Sequence, residues 1–312
     1  MAPGTDQTLS APIVLLLGAS SQIGVFAIPQ LILAGFHVLA VSRKGRPENY
    51  PVFKQVDWLD EADVIQTAHS CQYLLSAGPM ELAKKFLCGP RHPTPVTPGS
   101  TRGPFKTAII FSSSSVETKQ KSGNPAEKAQ IKNMLALESD LQNAAENMGT
   151  KLVIFRPTLI YGCGLDTNIT RLAVWIRRFG VIPVNGKAAG LRQPVHAEDL
   201  ASVAVNAMLA KDPLPQVLSL AGGDTLSYSE MVSRIFTAMG KPSRLVRLPQ
   251  WLFVLLVRFA ATTKIGEGTN TEMVKRQAVD LVFDDQQARM LLDYNPRPFA
   301  PVSDDFCLPK FR

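Results

Sequence analysis

The segment from Ile13 to Gly24 constrains the fold of this chain most. Ile13-Val-Leu-Leu-Leu17 is a continuous apolar run, the right length for a strand buried on both faces. Gly18-Ala-Ser-Ser-Gln-Ile-Gly24 follows at once and opens a helical stretch from Ile23 to Ala34. A strand, a glycine-bounded turn and a helix, in that order, are what a dinucleotide site requires. Gly18 permits the tight turn, and Gly24 lets the helix approach the strand. The backbone around Ser20, Ser21, Gln22 and Ile23 offers N–H groups to a pyrophosphate. Ser21 stands where a middle glycine is usual, so a plain strand-to-helix turn is the competing reading. Pro29 predicts a kink in the helix and Gly35 its end.

The pattern repeats along the chain. Apolar runs at His37–Val41, Val52–Val56, Tyr73–Ser76, Ala108–Phe111, Leu152–Phe155 and Leu218–Gly223 predict further strands, separated by amphipathic stretches. Continuous runs of this kind imply an α/β fold, a doubly wound parallel sheet covered on both faces. The 312 residues leave room for a modest second lobe. Ser227-Tyr-Ser-Glu230 has capping-box spacing and begins a helix that Gly240 ends. Five prolines between Cys88 and Lys106 (Pro90, Pro93, Pro95, Pro98 and Pro104) predict an exposed loop, a solvated insertion more readily than a lid.

Charge and cysteine usage narrow the function classes. The net charge of +7 suits an anionic small-molecule ligand, but no long basic run points to nucleic acid. Cys71, Cys88, Cys163 and Cys307 form no CxxC pair and match no zinc template, so reduced thiols in a cytoplasmic protein are expected, with no metal. The run before Gly18 lacks a basic leader and a cleavage site, so it does not read as a signal peptide. From Trp251 to Ala261 almost every residue is apolar, but Arg258 interrupts the run and it is far short of a bilayer span. Arg244, Arg247 and Lys264 flank it. Burial under the lobe, a homodimer interface and a peripheral membrane contact all stay open.

Cofactor preference is read at the end of the second strand. Ser42-Arg43-Lys44 lacks the acid that would hold the ribose hydroxyls of NAD, and two cations beside a serine favour the 2′-phosphate of NADP, with NAD the alternative. Solvated surface cations are the other reading. Asp57-Trp58, after the expected third strand, puts an acid where an adenine amine could meet it.

At this point the sequence resembles the extended or atypical branch of the short-chain dehydrogenase/reductase superfamily, the NAD-dependent epimerase/dehydratase group. The carrying residues, from about Pro12 to Ala261, are Gly18 to Gly24, Ser76-Ala-Gly-Pro79, Phe111-Ser-Ser-Ser-Ser-Val116, Arg156-Pro-Thr-Leu-Ile-Tyr-Gly162 and Arg192-Gln-Pro-Val-His-Ala-Glu-Asp199. The resemblance implies a Rossmann-type domain over 1–165 and 194–223, with a small C-terminal substrate lobe over 166–193 and 224–312. It implies that Ser76, Ala77 and Gly78 pass beside the cofactor and that Pro157 and Thr158 lie near its nicotinamide. It puts Ser113 at the position of the catalytic Ser or Thr, and Arg192 and Asn168 on a substrate such as a nucleotide-linked sugar. Competing readings are strand-end satisfaction for the serine run, an ion pair with Asp199 for Arg192, a helix cap for Asn168, and a structural role for His196.

The superfamily's Tyr-x-x-x-Lys pair is missing. The tyrosines are Tyr50, Tyr73, Tyr161, Tyr228 and Tyr294, and none lies between Ser113 and Arg156. Aligning on Glu138 and Arg156 puts Gln130 and Met134 at the two positions, with Met134 on an apolar helix face beside Ile131, Leu135 and Leu141. Lys119, Lys128 and Lys132 are the substitutes to weigh, although a solvated surface lysine is the simpler reading of Lys119. Two functions follow: an NAD(P)-dependent epimerase, dehydratase or oxidoreductase working through Ser113 with a lysine, or a dinucleotide-binding module that senses or scaffolds without turnover.

Overall fold

A computed structural model describes residues 11–42, 56–59, 68–88, 105–120, 122–249, 251–255 and 271–307. Seven strands form one parallel sheet: β1 (Ile13–Leu17), β2 (His37–Val41), β3 (Asp57–Leu59), β4 (Tyr73–Ser76), β5 (Thr107–Phe111), β6 (Lys151–Pro157) and, after the short strands β7 (Ile160–Tyr161), β8 (Ile182–Asn185), β9 (Leu191–Arg192) and β10 (Val195–His196), β11 (Val217–Leu220). Their order is β11-β6-β5-β4-β1-β2-β3. The order reverses between β1 and β4, the switch point where doubly wound sheets open a crevice at their carboxyl ends.

Helices cover both faces because the strands are apolar on both. On one side α1 (Gly24–Leu33) and α6 (Ala197–Leu209) pack over Val14, Leu16, Ala40 and Ile109. On the other, α2 (Met80–Cys88) and α4 (Pro125–Met148) cover Leu15, Leu17, Leu74 and Ile110. Between β5 and α4 lies one short turn of helix, α3 (Ser115–Thr118). Pro29 sits inside α1 without ending it. Asn124 caps α4 through its side chain, which accepts from the Ala126 N–H at 2.9 Å, and Gly149, at φ 68°, closes the helix.

The lobe has its own core. Here α5 (Ile169–Phe179) and α7 (Tyr228–Ala238) enclose Ile176, Val184, Met231 and Phe236, with β8 (Ile182–Asn185) and β13 (Leu245–Leu248) as a parallel pair at the side. The capping spacing at Ser227 is realised, since its Oγ accepts from the Glu230 N–H at 3.1 Å. Residues 271–280, which begin with helix α8 (Thr271–Arg276), link this lobe to the first domain. A final helix, α9 (Gln286–Leu292), lies in the stretch assigned to the lobe from sequence. Its Ala288 and Leu292, with Tyr294 beyond, instead join the first core, and the Tyr294 hydroxyl donates to the Ala221 carbonyl at 2.6 Å.

The third strand is corrected. It is expected over Val52–Val56, most of which lies outside the described residues, whereas the strand seen is Asp57–Leu59. The expected loop at 89–104 and the second half of the 251–261 run also lie outside. Residues 251–255 are helical, with Phe253 buried and Trp251 exposed. Among the described residues no helix is long and apolar enough to cross a membrane.

One buried ion pair locks α4 to β6. Glu138, with a side chain 4% exposed, accepts from Arg156 Nε at 3.2 Å and from Ser112 Oγ at 2.5 Å. Glu117 also pairs with Arg156, at 3.1 Å. Both carboxylates hold the Arg156 guanidinium charged, above its ordinary value, with the hydrogen bond to Glu138 the largest cause. Removing one member leaves a charge without its partner. Glu138→Ala is therefore expected to cost about 3 kcal/mol in urea unfolding, and an undiminished midpoint would show that the pair is incidental.

Candidate functional site

The candidate site is built where β1, β2, β4, β5 and β6 end. Gly18, at φ 74°, turns the chain out of β1 in the left-handed region that glycine favours. A Cβ there would lie 2.6 Å from the Gly78 nitrogen, and one on Gly24 would lie 2.3 Å from the Gly18 carbonyl oxygen. Close approach thus requires glycine at both ends of the turn. The Gly18 and Ala19 N–H groups donate to the Val41 carbonyl at 3.1 and 3.0 Å, which ties the turn to β2. Beyond β4, Ala77 donates to the Leu17 carbonyl at 2.9 Å and brings Gly78 across the switch point.

Two buried polar atoms in this region have no partner among the described residues: Gln22 Oε1 and Ser76 Oγ. A buried polar atom left unpaired is costly, so a ligand or water is the natural partner. Ser20 and Ser42 join their hydroxyls across the turn. Ser21, in the middle-glycine position, accepts from the Gly24 N–H at 3.0 Å. It therefore caps α1 by side chain where the usual glycine would leave that N–H free, a detail the motif alone does not reveal. Ile23 is buried in the core and serves packing. The glycine cradle and the two orphaned atoms fit a dinucleotide.

Two cofactor residues read from sequence fall elsewhere. Asp57 opens β3 level with Leu39, two positions before the strand's carboxyl end, and its carboxylate meets His37 Nε2 at 3.0 Å. Among the described residues it therefore lies within the strand and not after it. Trp58 packs half-buried against the first core. Arg43 and Lys44 lie outside the described residues.

The serine run divides its labour. Ser112 is spent on Glu138, while Ser114 is buried and its N–H donates to the Pro157 carbonyl at 3.0 Å. Ser113 Oγ accepts from the Ser115 N–H at 3.2 Å, which leaves its own O–H able to donate. Pro157 ends β6 on the same side, and the Thr158 hydroxyl is used on the Gln193 carbonyl. On α4, Lys128, Gln130 and Lys132 are exposed, and Met134 packs against the second core.

Lys119 is not the solvated lysine expected from sequence. It follows α3, half-buried, in the electrostatic reach of Arg276 and Glu127. Burial first, then Arg276, push its amine below the usual lysine value, against the opposing pull of Glu127. Glu127 holds Arg276 through both oxygens, at 2.8 and 3.0 Å, and accepts from Ser122 Oγ at 2.6 Å. Sequence reasoning missed Glu127 and Arg276. An acid in a helix first turn carries no sign of a partner 149 positions away.

The substrate expectations need correction. Arg192 is buried and makes no pair with Asp199, which holds Arg297 at 2.7 Å instead. Its Nη1 donates to the Leu191 and Val279 carbonyls at 2.6 and 2.8 Å, and its Nη2 to the Arg276 carbonyl at 2.5 Å. The guanidinium also lies 5.6 Å over the Tyr228 ring. Three of the five guanidinium N–H groups thus go to main chain, which organises residues 276–279. Asn168 is the residue just before α5, at its N-cap, but its side chain caps nothing. Asp166 does so, accepting from the Asn168 and Thr170 N–H groups at 3.0 Å each. His196 is structural: Nδ1 accepts from the Glu198 N–H at 3.2 Å and Nε2 meets Asp305 at 3.3 Å.

Comparison with known proteins agrees with this architecture. No protein-family model matches the chain. UDP-glucose 4-epimerase of Vibrio cholerae is 26% identical over 118 residues, 38% of this chain and 36% of that protein, so the match spans little more than a third of the curated relative. The solved structure of UDP-glucuronic acid 4-epimerase from Bacillus cereus, in complex with UDP-glucuronic acid and NAD, superposes with a TM-score of 0.65 at 16% identity. It covers 94% of this chain and 96% of that one. UDP-glucose 4-epimerase from Bifidobacterium longum, in complex with NAD+ and UDP, gives 0.62 at 15% identity over 95% and 96%. The chain therefore has the Rossmann-type fold of the nucleotide-sugar 4-epimerases.

Arg192→Ala is expected to loosen residues 276–280 and to lower stability by about 2 kcal/mol, the cost of unpaired buried carbonyls. Amide hydrogen exchange should report faster opening there with dinucleotide affinity intact. Unchanged exchange would contradict the assignment.

Proposed function

We propose that this chain is an NAD(P)-dependent enzyme of the epimerase/dehydratase kind, acting on a nucleotide-linked sugar or a similar anionic substrate. The observation that carries the reading is the Gly18–Gly78 crossing at the switch point. A Cβ on Gly18 would lie 2.6 Å from the Gly78 nitrogen, so main chain approaches main chain there as a turn that receives a dinucleotide requires. The nicotinamide supplies the hydride chemistry. The protein's part is to hold the substrate and to manage one proton.

Ser113 and Lys119 are the groups in this reading that manage it. The Ser113 O–H donates to the reacting oxygen of the substrate. The Lys119 amine, desolvated and beside Arg276, holds its proton less tightly than an ordinary lysine and so can take one up from a hydroxyl being oxidised. Glu127 and Arg276 position that amine. Lys132, exposed on α4, is the weaker candidate. Preference for NADP over NAD rests on Arg43 and Lys44. A role for Arg192 toward a diphosphate falls to the guanidinium N–H groups that main chain does not take.

A second reading, a dinucleotide-binding module without turnover, has one observation in its favour. The positions of the missing Tyr–Lys pair hold an exposed glutamine and a methionine packed in the core. The two readings separate experimentally.

Fluorescence titration is expected to show NADPH binding tighter than NADH, and the opposite order would remove the preference. Gly24→Trp should abolish both. With nucleotide sugars and lipid-linked sugars as substrates, hydride transfer from the substrate to NADP+, read as NADPH fluorescence, is expected to fall at least a hundredfold in Ser113→Ala and in Lys119→Met, the lower range for a lost acid–base group, about 10²–10⁴. The rate should rise with pH through a step below the ordinary lysine value of about 10.4, and Lys119→Met should lose that step. Cofactor binding with no transfer on any substrate would favour the module.

A further inference from the structure

The substrate lobe carries a face with charge of one sign. No Asp or Glu occurs between Asp166 and Glu198, nor between Glu230 and Glu267. The fold brings these two acid-free stretches together at one edge. Lys241 Nζ donates to the Ile176 and Arg177 carbonyls at 3.1 and 2.7 Å, which closes the end of α5. The Ile182 N–H donates to the Arg244 carbonyl at 3.0 Å, and β8 then runs beside β13 from Ile182–Leu245 to Asn185–Leu248. Arg177, Arg178, Arg244 and Arg247 are all exposed along this edge.

Apolar side chains lie among the cations. Phe179 is 44% exposed, Val246 46%, Trp251 70% and Leu255 58%. Single exposed apolar residues need no explanation. Here they lie in the same elements as the four arginines, Arg178 stacking 5.2 Å over the Phe179 ring, and the helical stretch at 251–255 follows β13 directly, its Phe253 N–H donating to the Pro249 carbonyl at 3.1 Å. Aromatic and aliphatic groups between guanidiniums suit the boundary of a lipid bilayer, where the apolar groups enter the acyl region and the cations meet headgroups. A nucleic-acid surface would use the arginines but gains little from Val246 and Leu255.

We propose that this edge of the lobe, formed by the end of α5, β13 and residues 251–255, docks peripherally on a bilayer containing anionic lipid. The proposal does not depend on turnover at the dinucleotide site. The test is sedimentation of the full chain with phosphatidylcholine vesicles and with vesicles in which part of the phosphatidylcholine is replaced by phosphatidylglycerol. Binding is expected only to the anionic vesicles and is lost as salt rises. Each basic residue at such a surface is worth about fivefold in partitioning. The double variants Arg177→Glu with Arg178→Glu, and Arg244→Glu with Arg247→Glu, should therefore each lose at least about 25-fold. Trp251→Ala should weaken binding by a smaller factor and keep the salt dependence. Circular dichroism and NADPH titration confirm that each variant is folded. Absence of vesicle binding, equal binding to both vesicle types, or unaltered binding by both double variants overturns the proposal. So does a dimer that the double variants dissociate without any vesicle binding, because the edge then belongs to a second copy of the chain.

Discussion

The contact on which the site depends is the approach of two main-chain turns, one leaving β1 and one leaving β4. A side chain at Gly18 would collide with Gly78 backbone at 2.6 Å, and one at Gly24 with the Gly18 carbonyl at 2.3 Å. Neither collision involves a flexible partner, so neither can be relieved by a rotamer change. The sheet order follows from the same place. With β4 and β2 on opposite sides of β1, the sheet order reverses there, and helices α1 after β1 and α2 after β4 cover opposite faces.

A second layer of order comes from residues 271–280, which serve both domains at once. Their carbonyls receive the Arg192 guanidinium from the lobe side, while Arg276 reaches the carboxylate of Glu127 at the start of α4. Asn185 and Gln277 tie the same stretch to β8, the Asn185 N–H donating to Gln277 Oε1 at 2.8 Å. A single connected set of polar contacts thus runs from the lobe's edge to the turn that holds Lys119. Displacing the stretch changes the environment of that amine, so the geometry of the lobe and the ionisation of Lys119 are coupled.

What the sequence made legible follows from which interactions leave a mark on residue type. Buried parallel strands demand unbroken apolar runs, and glycine is demanded where Cβ has no room, so five of the six later strands and the phosphate turn could be read. The described part of strand β3, Asp57–Leu59, is short and mixed in character, so its bounds leave little mark on residue type. Arg192 was misread because its partners are carbonyls, which every residue carries and no sequence pattern announces. The return of α9 to the first core was hidden for a related reason: Ala288, Leu292 and Tyr294 form an apolar stripe that would fit either core, and only the reach of the chain decides between them.

The same reasoning explains why the placement of helix α4 is independent of the residues at 130 and 134. Its scaffold contacts are made by Ile131, Leu137, Leu141 and Ala145, which face the sheet, and by Glu138, which is fixed by Arg156 and Ser112. None of these depends on what stands at 130 or 134. Gln130 points to solvent and Met134 adds its thioether to the second core, where a flexible unbranched chain fills space readily. Acid–base capacity on this side of the crevice must then come from outside the helix. In the proposed reading it comes from the turn from Ser113 to Lys119, whose amine lies within the electrostatic reach of Arg276 and Glu127. A lysine buried beside an arginine is costly to keep charged. Folding tolerates that cost because the Glu138–Arg156 pair and the two apolar cores, not Lys119, hold α3 and α4 against the sheet.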